Sequence, residues 1–146
     1  NREFFQSRSL ASIELEKLTL EHMEFYEDNQ FVLSYLSQED FAQCGAVKAD
    51  AEPLIDTLRS IRGIKVALIL RENDRNTIRG SLRAKDDETD VSAVARQFDG
   101  GGHKAAAGFT FHGTLEEARV AALNAIQTTC FADKPSVPLK EGVSGE

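Results

Sequence analysis

Gly100-Gly101-Gly102-His103-Lys104-Ala105-Ala106-Ala107-Gly108 interrupts an otherwise ordinary α/β pattern. Three consecutive glycines cost conformational entropy on folding. In return they offer backbone N–H groups that a ligand can approach closely, with positive φ where a turn needs it, and successive amides of this kind form an anion-binding concavity. His103 adds a group that titrates near physiological pH. Lys104 adds a cation, and Ala105, Ala106 and Ala107 withhold side-chain bulk. A flexible linker has the same glycine content. This run, however, falls between a predicted helix and a predicted strand, inside the domain.

Working outward, Asp90 is placed to cap a helix whose apolar positions are Val91, Val94, Ala95 and Phe98. After the run, Gly108 to Phe111 reads as a strand. Thr114 and Glu117 then form a capping box for a last helix with Leu115, Ala118, Ala122 and Ile126 on one side. Upstream, Ile64 to Leu70 is nearly continuous in apolar residues, as expected of a strand covered on both faces. Asn73-Asp74 is a turn signal leading into a strand over Thr77 to Lys85. Before these, Asp50 is expected to cap a helix carrying Leu54, Ile55, Leu58 and Ile61, stopped by Gly63. Ser37 with Asp40 predicts a short capped helix carrying Phe41, after a strand over Phe31 to Leu36 and a turn at Glu27-Asp28-Asn29. Leu10, Ile13, Leu18 and Met23 suggest an amphipathic helix near the start. No internal repeat is present.

Side chains on a strand alternate faces. Arg79, Ser81, Arg83 and Lys85 therefore share one face of the predicted strand, and Ile78, Gly80, Leu82 and Ala84 share the other. Arginine suits phosphate because its planar fork donates two parallel hydrogen bonds, and Ser81 supplies another donor. The solvated outer face of an edge strand has the same appearance, since lysine and arginine there discourage edge-to-edge pairing.

A length of 146 residues, with 41% hydrophobic and 28% charged content, supports one domain with a core. No apolar run is long enough for a membrane span, and no signal-peptide pattern opens the chain. The chain opens at Asn1 rather than Met, so a fragment or a trimmed protein is expected. Cys44 and Cys130 make neither a metal-ligand spacing nor a disulfide framework, which favours a reducing, cytoplasmic location. His22, His103 and His112 have no histidine partner at helical spacing, so no metal site is expected in this chain. The formal net charge of -7 argues against a general nucleic-acid coat, though not against a local basic patch. Residues 1–131 read as the folded domain and 132–146, with Pro135, Pro138 and small polar residues, as a disordered tail.

The glycine run with its His-Lys pair, three alanines and Gly108 resembles the GGGHxxAAG signature of DHHA1 domains. Ser81-Leu82-Arg83 on a strand, then Asp90-Val91, Ala95 and Phe98, fit the approach to that signature. The resemblance covers roughly Phe31 to Ile126, and with the upstream Ser-x-Arg it is specific where a bare glycine run is not. It implies an α/β fold, a single DHHA1-type domain with a mixed central sheet flanked by helices. The pattern is most similar to bacterial nanoRNases, the bifunctional oligoribonuclease and 3′-phosphoadenosine 5′-phosphate phosphatase type. RecJ-like exonucleases carry a similar loop but continue into an OB-fold. Cyclic-di-AMP phosphodiesterases end the loop in a more polar style, and the C-terminal domain of alanyl-tRNA synthetase is more distant.

One departure is decisive for activity: no Asp-His-His occurs in the chain. In the family that motif belongs to an N-terminal DHH domain binding Mn²⁺, where paired metals activate water. The resemblance therefore implies a substrate-gripping half, inactive alone, whose partners are its own DHH domain and a short single-stranded RNA or nucleotide. A homodimer is compatible with this. The residues implied in substrate binding are Arg79, Ser81, Arg83, Lys85, Gly100, Gly101, Gly102, His103 and Lys104. His103 would also support catalysis, facing the scissile phosphate from across the cleft. A nucleic-acid-binding module that never meets a metal domain, and a plain structural domain, are the alternatives.

Overall fold

The computed structural model describes residues 7–132. Apart from Ala132, the expected tail over 132–146 lies outside the described residues. The elements run α1 (Leu10–Glu21), β1 (Glu24–Tyr26), β2 (Phe31–Leu36), α2 (Gln38–Cys44), a 3-10 turn (Lys48–Ala51), α3 (Leu54–Arg59), β3 (Val66–Asp74), β4 (Thr77–Ala84), α4 (Val91–Arg96), β5 (Gly101–His103), β6 (Ala106–His112) and α5 (Leu115–Cys130). The strands form one six-stranded sheet in the order β1-β2-β3-β4-β6-β5. Only β2 and β3 pair in parallel, so the sheet is mixed, as expected. The parallel pair needs a crossover, and α2, the 3-10 turn and α3 supply it.

Local signals set most element starts. Ser37 accepts from the Asp40 N–H at 3.1 Å while the Asp40 carboxylate accepts from the Ser37 N–H at 2.9 Å. Thr114 and Glu117 repeat that reciprocal box at the head of α5. Asp90 accepts from the Ser92 N–H at the head of α4. Asp50 does something else than expected. Its carboxylate accepts from the Val47 N–H within the 3-10 turn, and α3 begins after Pro53, whose missing N–H is no loss at a helix start. The turn after β3 falls at Arg75-Asn76, not Asn73-Asp74, and Asp74 closes it by accepting from the Asn76 N–H. Glu27, Asp28 and Asn29 all take positive φ in the turn between β1 and β2.

Two cores lie on opposite faces of the sheet. One joins Leu33, Leu68, Leu70, Ile78, Leu82 and Phe109 to α4 and α5. The other joins Val32, Leu36, Ala67 and Ile69 to Leu15 of α1 and to Leu54, Ile55 and Leu58 of α3. The apolar stripe expected on α1 is only half right: Leu18 and Met23 pack partly, but Leu10 and Ile13 are exposed. The buried side of α1 is Ser12, Leu15 and Thr19. Polar groups fix it there, because Thr19 Oγ1 donates to the Leu15 carbonyl and Ser34 Oγ of β2 donates to the Thr19 carbonyl.

The second core does not reach the far side of the sheet. Its buried strand residues come from β2 and β3 alone. Among the described residues the same face of β4, β6 and β5 thus has no helix packed across it, and α3 only borders it. Among the described residues no helix is long and apolar enough to cross a membrane.

Candidate nucleotide-binding face

The uncovered face is built by register. On β4 burial alternates strictly, with Ile78, Gly80, Leu82 and Ala84 inward and Thr77, Arg79, Ser81 and Arg83 half-buried on the other side. The apolar half is as expected. The strand is interior, however, between β3 and β6, so its cations do not guard a sheet edge. Arg79 pairs with Thr110, Ser81 with Gly108, and Arg83 with Ala106. On β5, Gly101 pairs with Gly108 and His103 with Ala106. Directly paired residues share a face. Arg79, Ser81, Arg83, Gly101 and His103 therefore project together over a floor of Ala106 and Gly108. From strand spacings, the Arg79 and Arg83 backbones are about 13 Å apart and Arg83 lies about 10 Å from His103.

The glycine run is not a loop. Gly101 to His103 form an edge strand, and β6 starts at Ala106, earlier than the expected Gly108. The reason is pairing: the run folds back at Lys104-Ala105 and forms a ladder with β6. The three glycines have different causes. A Cβ on Gly100 would lie 2.2 Å from the Gly108 carbonyl oxygen, and its N–H donates to the Ala95 carbonyl at 2.8 Å. Gly102 has φ +144, and its Cβ would meet Ala106 O and Ala107 Cα at 2.6 Å. Both are glycine for internal reasons. Gly101 is not: a Cβ there would meet nothing within 4 Å. Its bareness leaves the outer side of an edge strand, where every second N–H lacks a ladder partner, open to something outside the chain.

Gly108 serves Arg79. A Cβ at Gly108 would lie 2.7 Å from Arg79 Nη2, so the guanidinium rests over the bare backbone of β6. It is held lightly there, with Nη1 donating to Thr110 Oγ1 at 3.3 Å. Arg83 is turned the other way. Its Nη1 donates to the Leu82 carbonyl at 2.9 Å, and its Nε stands 3.6 Å from Asp56 of α3. His103 and Lys104 are exposed at the tip of the β5–β6 hairpin. Lys85 does not join the row: β4 ends at Ala84, and Lys85 Nζ donates to the Ile61 carbonyl at 2.9 Å.

One cation escaped the sequence reading. Arg71 ends the apolar stretch of β3, pairs with Arg79 and lies on the same face. Burial, then the neighbouring Arg79 charge, holds its guanidinium below the usual arginine range, with Glu52 opposing. The signal was available, since Arg71 continues the alternation Ala67, Ile69, but it sits at the end of a run that reads as wholly apolar.

Chemically, the face can bind anions through two forks, a hydroxyl and edge-strand amides. Among the described residues no three His, Cys, Asp or Glu side chains gather as a metal site, so the residues present do not fit a metal pair. The face is also open. Two concave spaces, one between Ser9, Ser12, Pro53 and Thr57 and one between Lys65, Asp90 and Phe131, lie elsewhere. A ligand on it would be touched from one side only.

Comparison with known proteins agrees with this architecture. A crystal structure of an exopolyphosphatase-related protein from Bacteroides fragilis superposes with a TM-score of 0.76 at 27% identity, over 87% of this chain and 37% of that one. A pGpG-specific phosphodiesterase from Vibrio cholerae gives 0.52 at 16% identity, over 85% of this chain and 40% of that one. The C-Ala domain of alanyl-tRNA synthetase from Aquifex aeolicus gives 0.51 at 17% identity, over 73% of this chain and 96% of that one, a likeness of fold alone. The chain thus spans well under half the length of the first two. The family model of the DHHA1 domain matches residues 28–130, from the turn before β2 to the end of α5. The chain belongs to the DHHA1 domain family.

Proposed function

We propose that this chain is the substrate-gripping domain of a cytoplasmic, manganese-dependent phosphoesterase of the DHH type. It would act on short oligoribonucleotides or 3′-phosphoadenosine 5′-phosphate, as nanoRNases do. The observation that carries this reading is the common projection of Arg79, Ser81, Arg83, Gly101 and His103 over the small floor of Ala106 and Gly108. Family membership and the name of the Bacteroides fragilis relative, exopolyphosphatase-related, point to the same phosphate chemistry.

The division of labour follows from what the chain lacks and has. The 146 residues contain no Asp-His-His motif, so in this reading the metals belong to a separate DHH domain of the same protein. That domain supplies the activated water. This chain's residues bind and orient: Arg79 and Arg83 take phosphate oxygens, Gly101 lets the backbone approach, and His103 faces the scissile phosphate. Phosphoryl chemistry depends largely on positioning and charge neutralisation. An open cationic face becomes an enclosed site only when a second domain closes over it, which suits short substrates.

The test is a titration of the chain with an RNA dinucleotide, followed by long incubation with Mn²⁺. Binding that weakens with added salt is expected, because phosphate contacts release counterions, and no hydrolysis should follow. Turnover that co-purifies with the chain and disappears when its own acidic residues are changed would overturn the division of labour.

A further inference from the structure

Arg71 is paired directly with Arg79 across β3 and β4. Like charges opposite each other on neighbouring strands destabilise a sheet. Two and four residues earlier on the same side of β3 stand Ile69 and Ala67, both buried in the core. An apolar residue at 71 would extend that core. The guanidinium found instead makes no ion pair within 4 Å and no hydrogen bond among the described residues, and its Nε is buried without a partner. Among the described residues Arg79 beside it holds only Thr110 Oγ1. Two adjacent guanidiniums with no carboxylate within 4 Å, and only the more distant Glu52 charge to offset them, are costly in the free protein. An anion of charge near two would relieve both the repulsion and the unpaired donor.

We infer that Arg71 is a specificity-determining residue: with Arg79 it forms a site for the terminal phosphomonoester of a short nucleotide, in preference to an internal phosphodiester. This rests on the proposed function of the face. A terminal phosphate carries a charge of about -1.5 to -2 at neutral pH and offers three acceptor oxygens. A diester carries one charge and offers two. Two planar forks side by side present donors enough for the three oxygens. The site lies at one end of β4, and Arg83 and His103 lie at the other. A nucleotide anchored by its terminal phosphate at Arg71 and Arg79 has room to run along the face in the direction of Arg83 and His103.

The experiment measures binding of three RNA dinucleotides to the chain by calorimetry at low salt: one with hydroxyl ends, one with a 5′-phosphate and one with a 3′-phosphate. On the parent chain, a terminal phosphate at one end should tighten binding about tenfold, as expected for one charge-assisted contact. Arg71→Gln should abolish that gain, so that the phosphorylated and hydroxyl-ended dinucleotides bind the variant alike. A gain that survives in Arg71→Gln, or no gain from either phosphate on the parent, overturns the assignment. The parent alone gives an independent check if the variant does not fold. The second proton of a phosphomonoester binds with a pKa of about 6, so the gain should shrink between pH 7.5 and pH 5; equal gains at both overturn the assignment. Failure of the parent to bind any of the three overturns the reading of the face itself.

Discussion

Gly80 and Gly108 are one strand apart, and alanine at each should do opposite things. At Gly80 the added Cβ would lie 2.3 to 2.8 Å from three ring carbons of Phe109. That ring is fully buried and stacked on Phe98 with centroids 4.7 Å apart, so it has nowhere to go. Overpacking of this kind costs about 1–3 kcal/mol. At Gly108 the added Cβ meets Arg79 Nη2 at 2.7 Å and the Gly80 carbonyl oxygen at 3.2 Å. The first is the free end of a flexible side chain, which lifts off at little cost. Glycine in a strand interior is itself unfavourable by about 0.5–1 kcal/mol relative to alanine, which offsets the second contact. Gly108→Ala should therefore leave the melting temperature within a few degrees of the parent. It should also misplace Arg79, and loss of a charge-assisted phosphate contact of about 1.5–3 kcal/mol weakens dinucleotide binding at least tenfold. Thermal melts and calorimetric titrations of both variants decide the matter. If Gly108→Ala melts as low as Gly80→Ala while binding the dinucleotide normally, Gly108 serves packing and the argument for Arg79 fails.

Further outcomes follow from other positions. Arg83→Ala should weaken dinucleotide binding about tenfold with little change in melting, and equal affinity would remove Arg83 from the face. If the chain is joined to a DHH domain as proposed, His103→Ala in that protein should lower turnover far more than stability, since the ring is exposed; a large fall in melting temperature with normal turnover refutes its role. Thr114→Ala removes the cap that accepts from the Glu117 N–H and should cost about 1 kcal/mol in a denaturant titration, with nucleotide affinity unchanged. Burial pushes the Cys130 thiol up to about 11. An unfolded thiol ionises near 8.5, so the folded state holds this proton longer. Stability should fall as pH rises from about 8.5 to about 11, and fall less steeply in Cys130→Ser, with Cys44 and Tyr26, also raised by burial, supplying the slope that remains; equal slopes in the two proteins contradict the burial argument.

How far the chain was legible depended on the range of the interactions. Capping boxes at Ser37 and Thr114, the Asp90 cap and the alternation through β4 are decided within a few residues, and these were readable. The apolar run into β3 was readable because both faces of that strand are covered. β1 and β5 were not, since three-residue strands exist only through the partners that pair with them. The buried side of α1 was misjudged because Ser12 and Thr19 point inward, held by hydrogen bonds that composition does not reveal. For the face, Arg79, Ser81, Arg83 and the glycine run were visible separately. Their meeting depends on the registers of β4 with β6 and of β6 with β5, which are non-local. The same register brings in Arg71 and leaves out Lys85, and it sorts the glycines into two that the fold requires and one that it does not.

The most direct test of the central claim is an amide-resolved NMR titration of this chain with a short RNA dinucleotide. The account predicts that signals of Gly101, His103, Ala106, Gly108 and the β4 residues Arg79 to Arg83 shift together and saturate with one affinity, while α4 and α5 on the opposite face stay still. Shifts confined to the α4–α5 side, or none with the dinucleotide in large excess, would contradict it.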